Sequence, residues 1–406
     1  MATTMVHNLD LHEIDVLSLE RQELFDAVDA ARSQHWLART ALGYLLLDYS
    51  DVAAILADRR FHSALSLLPG IADADSSFRE RRQRSILATE GDEHSRLRRL
   101  ASPAFTPRAT ERLRPFMRQV MEGLVDSIAE RGGCEFVTEI CEPYPIPIIC
   151  ELLGAPKEDW ELFSRWATDI FRIFNNDVAN DLPTIQAAMA ELDQYVTDLI
   201  NQRRQLPADD LLSRLIAAEE QGDRMTTAEL IMMTEAVLMA GTDTTRNQLA
   251  CAVALFAQHP DQWKALAEEP SLAPQAVEET LRHLGAVRST VRVAAEDIDY
   301  REVTFPAGTL VSLGLAVANH DANQWPDPYR FDITRPATGA PQMTFGSGIH
   351  YCLGASLARA ELQEALPILA RRMPDLRLDG TIAWKPPTVG IWGPARLDVV
   401  FQPASA

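Results

Sequence analysis

The stretch Phe345-Gly346-Ser347-Gly348-Ile349-His350-Tyr351-Cys352-Leu353-Gly354 decides how this chain is read. One cysteine stands among glycines, with an aromatic residue ahead of it and a helix-like run, Ala355 to Leu366, behind it. Glycine removes the side chain where a backbone must turn tightly or approach something large and flat. A cysteine at a helix start faces the positive end of the helix dipole, which favours thiolate over thiol. Such a loop offers a thiolate to a metal. The plainer alternative is a small core residue in a turn.

Composition is compatible with either reading but excludes several function classes. The 406 residues suffice for one large domain or two. Hydrophobic residues make up 47% and charged residues 24%, a globular balance. No run of about eighteen uncharged apolar residues occurs, so no membrane span is expected. Met1 to Glu20 has no basic segment leading into an apolar one, so no secretory signal is expected and the chain reads as cytoplasmic. Its five cysteines form no C-x-x-C pair, which suits free thiols in a reducing compartment. A net charge of −20 argues against nucleic acid or an anionic membrane as partner. One basic patch breaks the trend: Arg79 to Arg118 holds eleven arginines against five acids.

The hydrophobic pattern predicts a mainly α fold with a smaller sheet, formed by about residues 35–60 and 287–405. A strand is expected at Tyr44–Leu47 and a long loop, containing Pro69-Gly70, at Phe61–Ala88. Helices are expected at His94–Ala101, Arg108–Glu130, Trp160–Phe174 and Pro183–Gln205. The longest runs from Thr226, with the capping box Thr226-Thr227-Ala228-Glu229, to Gln258 before His259-Pro260. At about 1.5 Å per residue it would span close to 50 Å.

Within that helix, Ala240-Gly241-Thr242-Asp243-Thr244-Thr245 sets a glycine and three threonines where they cost stability. Threonine there bonds back to a carbonyl and bends the helix. The pattern suggests a local widening for a ligand; the alternative is a helix crossing that needs a small residue, with Asp243 paired to an arginine.

Together these stretches resemble the cytochrome P450 family. The loop matches F-x-x-G-x-x-x-C-x-G through Phe345, Gly348, Cys352 and Gly354, and the helix matches the oxygen-binding motif from Ala240 to Thr245. The resemblance implies that Cys352 is the axial thiolate of haem iron, in a single domain spanning 1–406 and carrying haem b. Thr244 would hydrogen-bond dioxygen, and Asp243 would link that site to water and deliver a proton. Propionate partners would be His94 and Arg98 from an H-x-x-x-R helix, Arg292 from a strand, and His350. Glu279 and Arg282, in an E-x-x-R pair, would form a buried network with Arg330 of Pro328-Tyr329-Arg330-Phe331.

Five motifs occur in the family's order between about Tyr44 and the C-terminus, so the chain is identified as a member of that family. Two departures stand out. Asp92 occupies a position where a proline is frequent, and Asn319-His320-Asp321 replaces Asn-Arg-Asp, removing one basic group from the proximal side.

The expected activity is a monooxygenase that inserts one atom of O2 into a small-to-medium apolar molecule. Electrons would come from a ferredoxin and ferredoxin reductase, docking near Arg96, Arg99, Arg108 and Arg112. Family architecture puts Phe78, Ile86, Leu87, Phe171 and Phe174 over the distal face, with Ala236 and Ala240 on the helix beneath. Val287, Arg288, Ile391 and Trp392 would complete the wall, with Arg288 able to hold an acidic substrate. A peroxide-driven enzyme would lack the Asp243–Thr244 pair, and a haem-based sensor would not need it.

Overall fold

The computed structural model describes residues 3–65, 67, 76–175, 178–220, 225–336 and 339–402. Helices dominate it. The main core is built from their buried faces, including helices Arg114–Ile128, Pro145–Leu153, Thr227–Ala240, Asp243–Gln258 and Ala355–Arg372. A second core lies under a five-stranded sheet. Its order is Leu37–Thr40, Gly43–Leu46, Leu310–Gly314, Ser289–Ala294 and Phe61–Ser63. The Gly43–Leu46 and Leu310–Gly314 strands run parallel; the other neighbours are antiparallel.

Two smaller sheets recruit segments outside the expected range. Gly133–Glu135 pairs with Asp398–Val400, and Thr4–Met5 with Val303–Phe305. The expected loop from Phe61 to Ala88 contains that edge strand and the helix Ser76–Gln83; its Pro69-Gly70 turn lies outside the described residues. The predicted helix Arg108–Glu130 divides at Arg112-Leu113, ahead of Pro115.

The central helix divides as well. The capping box forms as expected: the Thr226 hydroxyl accepts from the Glu229 amide, and the Glu229 side chain accepts from the Thr226 amide. The helix then ends at Ala240 and restarts at Asp243. Both threonines near the break turn back on the backbone. Thr242 Oγ1 donates to the Met239 carbonyl at 2.8 Å, and Thr244 Oγ1 to the Ala240 carbonyl at 2.9 Å. Gly241 has a packing reason: a Cβ there would lie 2.8 Å from Cγ1 of Ile149, on helix Pro145–Leu153. The helix crossing that needs a small residue is present, with Asp243 paired to Arg246 as that alternative expects, and the helix is broken at the same point.

Candidate functional site

Cys352 sits on a short loop ahead of helix Ala355–Arg372, its amide donating to the Phe345 carbonyl at 2.9 Å. Gly346 and Gly348 both have positive φ, +67° and +69°. The close approach at Gly348 is to the protein itself, since a Cβ would lie 2.2 Å from the Leu56 carbonyl oxygen. Beside Gly346 and Gly354 there is open space. Phe345 lies under the Arg359 guanidinium, 4.6 Å from ring centroid to Cζ. Burial pushes the Cys352 thiol up, against the Gly354 amide and the Arg98 and Arg359 cations, which pull it down. Proximity to a helix start therefore does not by itself favour the thiolate; a bound metal removes the proton outright.

Around the loop lie the four residues expected to serve the propionates. The His94 and His350 rings lie 4.5 Å apart, and Arg98 donates to the Tyr351 carbonyl at 2.5 Å. Burial, then His350 and Arg98, hold the His94 imidazole down at about 4. Arg292 is buried on the sheet, opposite Ser63 in the strand register. Among the described residues its guanidinium donates to Thr290 Oγ1, at 3.3 Å, and the Val291 carbonyl, at 3.1 Å, and to no carboxylate.

Glu90, which the sequence reading passed over, ties this group together. Its Oε1 accepts from the Ser63 amide at 2.6 Å and lies 3.0 Å from His350 Nε2. The hydroxyls of Ser63 and Thr89 are buried with no hydrogen-bond partner. Buried polar groups are normally satisfied. A buried arginine without a carboxylate partner and two orphaned hydroxyls beside a loop cysteine fit the acidic edge of a haem.

The central helix supplies the other wall. Ala240 is exposed and Ala236 and Thr244 are partly so, although Met239, Thr242 and Asp243 between them are buried. These accessible residues mark one side of the helix break, here termed the groove. Asp243 forms an ion pair with Arg246, yet its Oδ1 takes no aligned hydrogen bond. Arg246 also meets Thr168 Oγ1, at 3.1 Å from Nη2, and Glu142, at 3.7 Å. Below the groove, Thr245 Oγ1 donates at 3.2 Å to Glu361, whose buried carboxyl is pushed up to about 8 by burial. That bond ties the central helix to the helix behind the cysteine.

The structural network differs in one member. Arg282 donates to both oxygens of Glu279, at 2.7 and 2.8 Å. The second arginine on Glu279 is Arg335, at 3.3 Å, not Arg330. The Arg330 side chain is 67% exposed and pairs with Asp332; only its backbone carbonyl joins, accepting from Arg282 and Arg335. His320 also differs from expectation. It is buried against Phe25 and Tyr329, with Nδ1 2.8 Å from the Ala316 carbonyl, so its replacement of an arginine changes packing and not a docking surface.

Of the expected wall residues, several are core. Phe78 packs with Ile173, Val178 and Ile185 in a separate cluster. Ile86 packs on the main core, while Leu87 is 44% exposed. Trp392 is buried and stacked on Trp384 at 4.6 Å. Val287 and Ile391 form a β-bridge, and the Phe171 and Phe174 rings lie 5.4 Å apart. Arg288 donates to the Pro387 carbonyl at 2.6 Å and lies 5.0 Å over Trp392, so its fork is already used. Arg96, expected at a docking face, instead binds Glu229 at 2.5 Å, whereas Arg99, Arg108 and Arg112 are exposed.

Known proteins share this mainly α fold. The family model for cytochrome P450 matches residues 44–372. Luteothin monooxygenase of Streptomyces thioluteus is 37% identical over 381 residues, covering 93% of each chain. Vitamin D(3) 25-hydroxylase of Pseudonocardia autotrophica is 38% identical, covering 89% of each. Among solved structures, CalO2 superposes with a TM-score of 0.88 at 30% identity, over 96% of this chain and 100% of that one. P450BioI, solved with a hexadecenoic acid-ligated acyl carrier protein, gives 0.87 at 32%, over 94% and 99%. This chain belongs to the cytochrome P450 family and is a monooxygenase of that family. Membership implies a haem cofactor, a small-molecule substrate, dioxygen and an electron donor. Among the described residues no helix is long and apolar enough to cross a membrane.

Proposed function

We propose that the whole chain acts as one haem b-dependent domain that hydroxylates or epoxidises a small-to-medium organic molecule, with electrons from a ferredoxin and its reductase in the cytoplasm. Cys352 would bind the iron, Arg98 and Arg292 would neutralise the propionates, and His94 and His350 would hydrogen-bond them. The haem, once bound, supplies dioxygen activation by stepwise reduction. The groove at Ala236 and Ala240 admits substrate beside the Thr244 hydroxyl.

Thr244 Oγ1 now donates to the Ala240 carbonyl but is partly exposed to the groove, so a small rotation presents its proton there. Asp243 stands next to it with one oxygen lacking an aligned hydrogen bond. Its pairing with Arg246, which reaches Thr168 and Glu142, traces a polar path away from the groove along which a proton can be replaced. Electron delivery is assigned to the exposed Arg99, Arg108 and Arg112, which suit an acidic donor.

The observation that carries this reading is the buried Arg292, with no carboxylate partner among the described residues, together with the unpartnered Ser63 and Thr89 hydroxyls, in the network that Glu90 and His350 link to the cysteine loop. The reduced protein under carbon monoxide is expected to show the red-shifted band of a thiolate-ligated haem, lost in Cys352→Ala. A histidine-type band in fresh, intact protein would overturn it.

A further inference from the structure

Helix Ser76–Gln83 ends in two adjacent arginines whose environments could hardly differ more. Arg81 is saturated: it donates to Asp193 at 2.5 and 2.8 Å and to Glu235 at 2.5 Å, fixing the helix to Val178–Gln205 and to the central helix. Neighbouring residues on a helix point about 100° apart, so anchoring Arg81 fixes where Arg82 points. The Arg82 guanidinium lies 5.8 Å over the Phe174 ring, and its best contact with an oxygen is the Leu65 carbonyl at 3.5 Å. Its Nε is buried and has no hydrogen-bond partner. Among the described residues, no carboxylate pairs with it.

That is unusual in a chain with 58 acids against 38 basic residues. Burial lowers Arg82 only to about 10, so it stays charged at neutral pH. A charge taken out of water without a partner is costly, and a fold that retains one has left the partner to be supplied.

The surroundings of Arg82 identify the missing partner. Leu65 lies two residues beyond Ser63, which faces Arg292 across the sheet. On the other side, the Phe174 Cβ fills the space over Gly390, where an added Cβ would lie 2.4 Å from it. Arg288 holds the same 386–393 turn through the Pro387 carbonyl. Arg82 thus stands where the edge strand, the Phe171–Phe174 turn and the 386–393 turn meet, on a helix that Arg81 ties to Glu235, the neighbour of Ala236 on the central helix. We propose that Arg82 binds the carboxylate of an organic-acid substrate, whose apolar part extends into the groove at Ala236 and Ala240. The proposal rests on the reading of that groove as the substrate chamber. It moves the acid-binding role from Arg288, which donates to the Pro387 carbonyl at 2.6 Å, to Arg82, whose Nε has no partner and whose one oxygen contact is at 3.5 Å.

The test uses full-length haem-loaded protein and a panel of straight-chain and aryl carboxylic acids, each paired with its methyl ester. Binding is followed by displacement of the ferric spectrum and by calorimetry. The expected result is at least one acid bound about tenfold or more tightly than its ester, a margin reasonable for a charge-assisted pair. Arg82→Leu abolishes that margin and leaves ester binding unchanged, while Arg82→Lys keeps part of it. The proposal fails if no acid outbinds its ester, or if Arg82→Leu weakens acid and ester equally. It also fails if that variant loses haem, because Arg82 would then serve the cofactor. A wild-type protein without the thiolate band under carbon monoxide would instead refute the haem assignment.

Discussion

Two buried charged regions of this molecule follow opposite rules. Around Glu279 every charge is answered: Arg282 and Arg335 share its carboxylate, and carbonyls of Asn319, Pro328 and Arg330 take the remaining donors of Arg282. Around the groove the charges are left open, with Arg292 and Arg82 facing neutral oxygens and the hydroxyls of Ser63 and Thr89 unpartnered. A satisfied network specifies a fold, whereas an unsatisfied one waits for a ligand. The difference separates scaffold from site without reference to any motif.

The contrast is tested most severely by removing one partner on each side. Glu279→Ala strands Arg282, 2% exposed, and is expected to cost about 3–5 kcal/mol in urea unfolding. A loss below about 1 kcal/mol would mean the network is not the keystone described.

The same region carries a pH signature. Burial and then Arg21 push the His283 imidazole far down, and burial holds His320 at about 3. Both folded values lie below the unfolded value near 6.5, so the unfolded chain binds the extra protons. Stability is full above pH 6.5 and falls as pH drops toward 3, each histidine adding a slope approaching about 1.4 kcal/mol per pH unit. His320→Gln should flatten the loss measured between pH 7 and 5; an unchanged slope would show that His320 is not held neutral.

On the open side the expectation reverses. Arg292→Leu removes an unpaired buried cation, so the haem-free protein should change by no more than about 1 kcal/mol. Transfer of haem to a scavenging apoprotein should nevertheless accelerate about tenfold, as befits one lost charge-assisted contact. Equal retention of haem would remove Arg292 from the propionate site. The smallest effect belongs to Arg330→Ala, expected within about 0.5 kcal/mol because its side chain is exposed.

Much of this was legible because the family's motifs are local. Cys352 with its glycines, the i, i+3 pair Glu279–Arg282 and the capping box at Thr226 are each set by near neighbours in sequence, and each appears where expected. What was missed depends on chain separation. Arg335 reaches Glu279 only because the chain turns back after Phe331, and P-x-R-F draws attention to Arg330 instead. Glu90 meets His350 across 260 residues. Arg82 is one of eleven arginines in a basic run, and nothing beside it in sequence says that its guanidinium packs on Phe174 with no carboxylate beside it among the described residues. Phe78 and Trp392 read as lining from sequence because apolar residues near a chamber and in a core look alike until packing is known.

The contact between Gly241 and Ile149 gives the proposed chamber a mechanical character. It sets the break of the central helix hard against a neighbouring helix of the main core, so the floor behaves as an anvil that cannot yield to a bulky ligand. The opposite jaw is assembled from short pieces: the helix Ser76–Gln83, the Phe171–Phe174 turn and residues 386–393. Any accommodation of shape must come from that jaw. A larger guest would lift the roof rather than displace the floor, and the Thr244 hydroxyl would keep its station while the fit above it changed.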